Sequence, residues 1–528
     1  MSEGQTADFK EEMGMELRLM KEHIQMEQPA PPVRSRAAVE GEMALPGGLR
    51  EETRVMYTHA SAVIDHAEAS QNRVKVAGKV TFHTLYTQGD PEKISAVEAS
   101  ADFTHMVDAP GVTPKAICVA SVEGVKAQSQ AQGGRLHLQA AVDLAVRATS
   151  AQPVEAVTGL RGGSEIQAAA RESTIQRTVA TGGSEVLLRE EFDLPAALQV
   201  KETLFATAAA TVGEITGGLG REGISGQVNL EAVHASALPG QPLVTTRHEM
   251  PFRQVFDLLG ENGDALSGEV TVKDVAVMSA ENADGTNTLR AEVLLSLTGR
   301  ADRTEKITLL EDAYTTLGED LKLTSAQVPC RVGCHQVQTA ESGKALLMLP
   351  EGAPPSRTGL CAFASVDGIQ AECSTGRTTI TGKLHTTVMY LTDGQAAPVS
   401  AKVETPFRQV FAAEVGPEDD VHLDVQDAEV STITSDRLEM RYVMRLQASG
   451  THRETLKLVT DAQPVDAPVP PAGIILYYTQ PGESRWDIAK RYRVPMERLQ
   501  ELNPELTGEP AQGQGVVVWR RATGDQRA

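Results

Sequence analysis

The hexapeptide PFRQVF at residues 251–256 recurs letter for letter at residues 406–411. A weaker copy, DFTHMV, stands about the same distance upstream at residues 102–107. Two interpretations of this hexapeptide are open. It can be a strand segment whose Phe252, Val255 and Phe256 pack inward, or it can be a repeated surface used for lateral assembly.

Further landmarks follow one another in the same order in each copy. They are a Leu-Pro pair, a glycine and a phenylalanine, spaced alike to within one residue. The three sets are Leu45-Pro46, Gly78 and Phe103, then Leu194-Pro195, Gly226 and Phe252, then Leu349-Pro350, Gly382 and Phe407. This register predicts three tandem units of about 150 residues, a length that lets each unit bury its own core as a separate domain on a string.

Each unit is predicted to be β-rich, because apolar residues alternate with polar ones around its glycine. Val74, Val76, Val80 and Phe82 show this pattern in the first unit. Alternation of period two is typical of a half-buried strand. A glycine inside such a strand indicates a bulge or a close approach of another group to the backbone.

The last 50 residues have a different pattern, beginning with YYTQPGESRWDIAKRY at residues 477–492. A short strand ends at a Pro-Gly turn, and Glu483 or Ser484 can cap a helix. Pro495 stands where a second helix would begin, and Asn503 followed by Pro504 would end it. Val516, Val517 and Val518 supply a closing strand. The pattern predicts a βααβ head.

Composition indicates which partners and which cell compartment the protein can have. The formal net charge is −22, and almost all of it falls on the three units, because the head carries about as many basic as acidic residues. So acidic a surface argues against binding to nucleic acid or to anionic membranes, and no apolar run is long enough for insertion into a bilayer. Five cysteines without a framework fit a reducing compartment, and no secretory signal opens the sequence, so we expect a cytoplasmic protein.

Two segments resemble metal-binding or phosphate-binding motifs in part. Cys330, Cys334 and His335 could present two thiolates and an imidazole, but their spacing is not that of a zinc knuckle. Buried or half-exposed thiols are the simpler interpretation. The glycine-rich run at residues 217–223 lacks the Lys-Ser/Thr of a phosphate loop. We therefore expect no enzyme, no metal and no cofactor.

The chain divides into six predicted segments. Residues 7–28 are ambiguous between a short helix, which we favour, and an entry strand for the first unit. Four prolines between residues 464 and 471 predict a stiff spacer that holds the head away from the third unit. The predicted limits are an N-terminal extension at 1–32, repeats at 33–158, 165–315 and 325–462, a linker at 463–472 and the head at 473–521.

The head resembles a LysM module, given its Pro-Gly turn, its Trp486 helix and its Asn503-Pro504 stop. LysM modules are small α+β domains that most often bind N-acetylated glycans. The resemblance implies that a ligand lies between two loops, at Gly482, Glu483, Ser484 and Arg485 of the first and at Asn503, Pro504, Glu505 and Leu506 of the second. Arg485 departs from the pattern, since most LysM sequences have leucine there. A guanidinium suits a protein carboxylate better than a sugar face.

The three units followed by a LysM head resemble the SPOCS-domain proteins of spore coat assembly. The shared features are the early Leu-Pro, the strand pattern Val74-x-Val76-x-Gly78-x-Val80 and the central phenylalanine. The residue after Leu-Pro departs from the acidic one that is common in the family, because Gly47 and Ala196 stand there in two of the copies.

The SPOCS resemblance implies a mainly β protein of three sandwich- or barrel-like domains, located in the mother cell at the forespore surface. It further implies that the head docks onto the spore coat morphogenetic ATPase. The alternative partner is peptidoglycan or a chitin-type oligosaccharide of the cell envelope or spore cortex.

Overall fold

The computed structural model describes residues 17–521, except residues 47, 49, 51, 133, 163–164, 219–220, 259–260, 262, 282–286, 396 and 469. Long antiparallel strands make up most of this part of the chain, and its two α-helices lie in the last 50 residues. The prediction of a mainly β protein with a small α+β head is thus confirmed.

The first repeat consists of two facing sheets. β7 pairs with β1, β2 and β6 in the outer sheet, and β4 pairs with β3 and β5 in the second sheet, the meander. Alternate residues of both sheets fill the core between them, including Val76, Phe82, Phe103 and Leu138. The strands are β1 (Arg18–Pro29), β2 (Val33–Met43), β3 (Arg54–Ser70), β4 (Arg73–Gln88), β5 (Asp90–Asp108), β6 (Ile117–Gln132) and β7 (Arg135–Arg161).

The second and third repeats reproduce this arrangement, each with a three-stranded outer sheet and a three-stranded meander. In the second, the strands are β8 (Ile166–Leu194), β9 (Val200–Gly218), β10 (Arg221–Ser236), β11 (Leu243–Asp257), β12 (Ala265–Glu281) and β13 (Asn287–Thr315). In the third, they are β14 (Asp320–Met348), β15 (Thr358–Ser374), β16 (Arg377–Leu391), β17 (Val399–Phe411), β18 (Asp420–Thr434) and β19 (Arg437–Val465).

The glycine and phenylalanine landmarks are cross-strand partners. Gly226 on β10 lies directly opposite Phe252 on β11. A methyl group on Gly226 would lie 2.7 Å from the Phe252 ring and 2.0 Å from the carbonyl oxygen of Thr211. The Phe252 side chain therefore lies directly against the backbone of Gly226, which is the close approach that a glycine inside this strand predicted.

The repeated hexapeptide is a strand segment, but its inward residues were predicted only in part. Phe252 and Phe256 are buried, whereas Val255 is 51% exposed. Because side chains alternate between faces, residue 255 cannot share a face with residues 252 and 256.

The three repeats form a closed ring, so the expectation of separate domains on a string is wrong. The third meander strand of each repeat contacts the first meander strand of the next, β5 with β9, β11 with β15 and β17 with β3. Apolar side chains from all three repeats meet in one shared cluster. Its buried members are Met56, Leu85, Ile94, Leu204, Phe205, Val233, Leu243, Cys361 and Met389.

Each repeat also extends a two-stranded arm beyond its sandwich. The arms are β1 with residues 149–161, residues 166–180 with 301–315, and residues 320–334 with 451–465. They pack on one another through a second shared cluster that includes Met26, Ile175 and Leu458. The connections between consecutive repeats lie at the arm tips, because each arm contains the first and last residues of its repeat.

A buried group of charges ties the three arms together. Arg331 of repeat 3 pairs with Glu27 of repeat 1 at 3.0 Å and with Asp302 of repeat 2 at 2.6 Å. Glu27 also accepts a hydrogen bond from the Thr178 backbone N–H at 2.6 Å. Burial raises the pKa of Asp302, but Arg300 and Arg331 outweigh it and hold that pKa below its ordinary value.

The favoured helix in the N-terminal segment is wrong for the residues that the structure describes. Residues 18–29 form β1, which pairs in antiparallel register with the end of β7 and so belongs to the first arm. Pairing with a neighbouring strand outweighs the helical spacing of Met20 and Ile24. Residues 7–16, including Met13, lie outside the described part of the chain.

Candidate binding site in the C-terminal head

The head has the predicted βααβ order. It comprises β20 (Gly473–Tyr478), α1 (Arg485–Tyr492), α2 (Met496–Leu502) and β21 (Gly515–Arg520). Ser484 caps α1, because its hydroxyl accepts from the Asp487 N–H while the Asp487 carboxylate accepts from the Ser484 N–H. This reciprocal pair is a capping box. It fixes where the first loop ends and α1 begins.

Asn503 ends α2 in a way that the sequence did not predict. Its backbone is not left-handed, with φ of −132°. Instead, its side-chain amide donates to the Val517 carbonyl at 2.8 Å and accepts from the Val517 N–H at 2.7 Å. Asn503 thus joins the second loop to the outer edge of β21.

The head packs on the arm of repeat 2 through α1. Trp486 donates its indole N–H to Asp312 at 2.8 Å, and the Lys490 ammonium lies 2.6 Å from the same carboxylate. Tyr314, fully buried, places its ring edge-on to Trp486 at 5.0 Å and donates its hydroxyl to the Val494 carbonyl at 2.7 Å. Burial, together with the nearby Asp312 charge, raises the pKa of Tyr314 above its ordinary value.

The turn between the two helices completes this contact. Arg493 is buried and donates to the Thr315 carbonyl at 2.9 Å and to the Gly318 carbonyl at 2.7 Å. The Met496 N–H donates to the Gln167 side chain at 3.2 Å. The head therefore lies on the tip of the second arm, whereas the linker was predicted only to hold it away from the third unit.

Trp486 and Tyr492 lie near the two ends of α1. Both are half-buried against the buried cluster of Ile488, Leu499 and Val518. Trp486 reaches from this core to Asp312, so it belongs to the head core and to the contact with the arm.

The structure brings the two predicted binding loops together. The Arg485 guanidinium of the first loop donates to the Leu506 carbonyl of the second at 3.5 Å. The Arg485 N–H donates to Glu509 at 2.8 Å. A cavity of about 10 Å³ lies between them, about the size that one water molecule needs. It is lined by Arg485, Met496, Leu499, Gln500, Asn503, Leu506 and Val516.

Glu483 has its partners within the head. It accepts from the Gln480 N–H at 2.8 Å and from the Tyr477 hydroxyl at 2.7 Å, and it pairs with Arg491. The Gln480 N–H, followed by Tyr477 and Arg491, holds the pKa of Glu483 below its ordinary value. Glu483 thus stabilises the first loop through contacts inside the head.

The eight predicted site residues differ in exposure. Asn503 and Leu506 are buried, so they support the loop from inside. Glu483, Ser484 and Arg485 are half-buried. The remaining three are exposed at the surface of the head, and these are Gly482, Pro504 and Glu505.

The cysteines lie in different parts of the fold. Cys330 is buried in the cluster between the arms, and burial followed by the Glu454 charge raises its pKa to about 11. Cys334 donates to Asp302 at 3.3 Å, and His335 lies 2.8 Å from Asp419. Cys361 lies in the shared cluster of the ring. Over the described residues, no group of three or more His, Cys, Asp or Glu side chains has a geometry that could hold a metal ion.

Sequence reasoning missed Asp312 and Tyr314, which hold the head in place. One signal was available. When the last strands of the three repeats, β7, β13 and β19, are aligned on their alternating apolar residues, Tyr314 corresponds to Arg161 in repeat 1 and to Gln463 in repeat 3. A buried aromatic residue found in one copy alone indicates a contact that the other copies do not make.

Comparisons with known proteins agree with the two resemblances. The family described as "SipL, SPOCS domain" matches residues 53–128, and the family described as "LysM domain" matches residues 477–509. No curated protein and no solved structure matches the chain. None of the helices within the described residues is long and apolar enough to cross a membrane.

The two matches lie where the structure has the relevant elements. Residues 53–128 hold the meander and most of β6 of repeat 1, and residues 477–509 hold both helices and both loops of the head. SPOCS and LysM domains are of binding or scaffold type. Together they support a sporulation-associated protein with a module of the peptidoglycan-binding kind. The chain carries a SPOCS domain of the SipL type in its first repeat and a LysM domain at its C-terminal end.

Proposed function

We propose that the protein is a non-enzymatic scaffold and adaptor in the assembly of the endospore coat. In this proposal its three repeats are all SPOCS-like domains, and it acts in the mother-cell cytoplasm at the forespore surface. The head docks there onto the spore coat morphogenetic ATPase. The SPOCS match in repeat 1 and the common strand order of all three repeats support the first part.

The observation that carries the adaptor function is the set of contacts by which the head lies on repeat 2. Asp312, Tyr314 and Thr315 of repeat 2 engage α1 and the turn after it through buried contacts. A partner bound to the head is therefore held in a defined orientation relative to the ring of repeats. Such a fixed orientation is what an adaptor between two layers needs, since a tethered head would leave the layers free to rotate.

The geometry of the two loops supports a protein partner over a glycan. Arg485 spans the gap between the loops, and the cavity beneath it has room for about one water molecule. A sugar ring would have to displace this side chain. The exposed site residues Gly482, Pro504 and Glu505 form a rim that a protein surface can contact without entering the gap.

The test is direct binding of the full-length protein to the purified coat ATPase, with Arg485→Glu as the test variant. Reversing the charge should weaken binding by about 2–4 kcal/mol if the contact is desolvated. The matched control is Arg437→Glu, which changes an exposed arginine of repeat 3 and should bind like the wild type. Unchanged binding by a folded Arg485→Glu protein would remove the loop edge from the proposal.

The second candidate function is binding of peptidoglycan or a chitin-type oligosaccharide, in the cell envelope or the spore cortex. The LysM match favours it, because residues 477–509 include both loops. Pelleting with purified peptidoglycan and imaging of a fluorescent fusion separate the two functions. A fusion confined to the mother cell around the forespore supports the adaptor. An envelope signal in growing cells, with loss of peptidoglycan binding in Arg485→Glu, supports the glycan function.

A further inference from the structure

Two buried arginines lie near each other where the head meets the arm of repeat 2. Arg493 follows α1 and Arg520 ends β21, and they are only 4% and 6% exposed. Arg493 donates to the carbonyls of Thr315 and Gly318 on the side of the repeats. Arg520 donates to the carbonyl of Pro470 in the linker. The arginine pair, Arg493 and Arg520, therefore lies at the junction of head, linker and arm.

Within the described part of the chain, the arginine pair has no carboxylate partner. Its acceptors are backbone carbonyls and the Thr315 hydroxyl, all of them uncharged oxygens. One nitrogen of each guanidinium, Nη1 of Arg493 and Nε of Arg520, is buried without a hydrogen bond to any described residue. Buried cations are ordinarily paired with an anion, and buried N–H groups ordinarily have an acceptor.

The two guanidiniums are close enough to repel each other. Burial lowers the pKa of Arg520, and the positive charge of Arg493 lowers it further. Two like charges in a poorly hydrated place cost free energy unless an opposite charge offsets them. The arginine pair therefore attracts an anion more strongly than either arginine would alone.

Two acidic side chains of this region have other partners. Asp312 pairs with Lys490 at 2.6 Å. Asp320 accepts from the backbone N–H groups of Thr315 and Leu321 at 3.3 and 2.9 Å. Neither carboxylate is thus available to the arginine pair, and an offsetting anion would come from solution.

The chemistry of the pair indicates a small oxyanion with two negative charges. A guanidinium matches the oxygens of phosphate and carboxylate groups, to which it can donate two parallel hydrogen bonds. Two guanidiniums together favour a dianion over an ion with a single charge. Because both unpaired nitrogens are buried, a small free ion suits them better than a phosphate group attached to a large molecule.

We propose that Arg493 and Arg520 form a binding site for a small tetrahedral oxyanion of the phosphate class, at the junction of head, linker and arm. The ion accepts from Nη1 of Arg493 and Nε of Arg520 and offsets both charges. Since Arg493 also contacts the repeats and Arg520 the linker, the bound ion strengthens the attachment of the head. This site is separate from the two loops and goes beyond the adaptor function.

The probe is inorganic phosphate, titrated into the full-length protein by isothermal calorimetry, with sodium chloride at equal ionic strength as the reference. We expect saturable binding and a higher unfolding temperature in phosphate than in chloride. O-phosphoserine should bind at least 10-fold more weakly, because its added bulk does not suit a buried site. Equal or tighter binding of O-phosphoserine would overturn the assignment to a free ion.

The test variant is Arg520→Met, which should weaken phosphate binding at least 10-fold. The matched control is Arg521→Met, which makes the same change of charge at the exposed neighbouring arginine and should bind like the wild type. In phosphate-free buffer, Arg520→Met should unfold no earlier than the wild type, because it removes a buried charge that has no counter-charge. Arg520→Gln, with the same expected loss of binding, serves if the methionine variant does not fold.

Three results would overturn the site. They are no saturable phosphate binding by the wild type, wild-type affinity in a folded Arg520 variant, and equal weakening by Arg520→Met and Arg521→Met. The coat ATPase assay keeps this site distinct from the adaptor function. If phosphate does not bind while the wild type binds the ATPase, the adaptor function stands without the anion site.

Discussion

The indole N–H of Trp486 and the carboxylate of Asp312 form a 2.8 Å hydrogen bond between residues 174 positions apart. This bond joins the C-terminal head to repeat 2, although repeat 3 precedes the head in the chain. The orientation of the head therefore depends on a residue of an earlier domain.

Asp312→Ala should release the head from the arm. It removes the acceptor for Trp486 and the partner of Lys490, with an expected cost of about 1–3 kcal/mol. Small-angle X-ray scattering should show a larger maximum dimension, and thermal unfolding should begin earlier. The neighbouring exposed residue supplies the control, since Glu311→Ala should change neither measurement. Identical scattering from both variants would mean that Asp312 does not hold the head.

Gly226→Ala should destabilise repeat 2 by about 1–3 kcal/mol, because its methyl group would meet the Phe252 ring and the Thr211 carbonyl. Gly213→Ala is the control in the same sheet, where the nearest atom would lie at an ordinary 3.6 Å. Urea unfolding of both variants measures the difference. A Gly226→Ala protein as stable as Gly213→Ala would show that the ring can move aside.

Arg331→Met should be strongly destabilising, by about 3–5 kcal/mol, because it leaves Glu27 and Asp302 buried without their shared cation. Asp302 keeps Arg300 at 3.0 Å, whereas Glu27 loses the cation that pairs with it. Combining Arg331→Met with Glu27→Gln should therefore recover part of the loss, since the uncompensated carboxylate is then gone. Chemical denaturation of the single and double variants checks this. A double variant no more stable than Arg331→Met would place the cost in lost packing and not in charge.

Acidification should weaken the ring through buried histidines. Burial, with a smaller effect of His248, lowers the pKa of His234 to about 4, so the folded protein keeps it neutral. The unfolded chain takes up the proton near pH 6.5, so stability falls between about pH 6.5 and 4, by about 1.4 kcal/mol for each pH unit. Burial, and then His83, also lowers the pKa of His59 to about 4, which adds a second contribution.

His234→Gln should remove one such contribution, about 2 kcal/mol of the difference in stability between pH 7 and pH 5. Urea unfolding at the two pH values measures it. The control is His66→Gln, at an exposed histidine of repeat 1. Wild type and His234→Gln losing the same stability on acidification would exclude His234 as the source.

The interior of each repeat and of the head could be predicted because local patterns determine them. Alternation along a strand shows which residues face the core, and the Gly226–Phe252 pair follows from landmarks about 25 residues apart. In the head, Ser484 and Pro495 mark helix ends through chemistry that acts within one turn.

The contacts between repeats could not be predicted from alternation, because their residues lie on the face of each meander that alternation assigns to solvent. Leu85, Phe205 and Met389 each stand directly beside a core residue, at Tyr86, Ala206 and Val388, and so point to the opposite face. The alternating pattern does not show that another repeat covers that face. The contacts of the two binding loops could not be predicted for a related reason. Glu483 and Arg485 lie next to an open turn in sequence, yet each has partners inside the head, at Tyr477 and Leu506.

The closed ring of meanders limits how many repeats the chain can add. A stack of repeats that ends in open faces can lengthen by duplication, because a new copy adds to the last one. Here β17 of repeat 3 meets β3 of repeat 1, so neither end of the series is available to a fourth copy. The number of repeats is set at three by closure. Any larger assembly of this protein must therefore extend from the outer surfaces of complete rings and from the head.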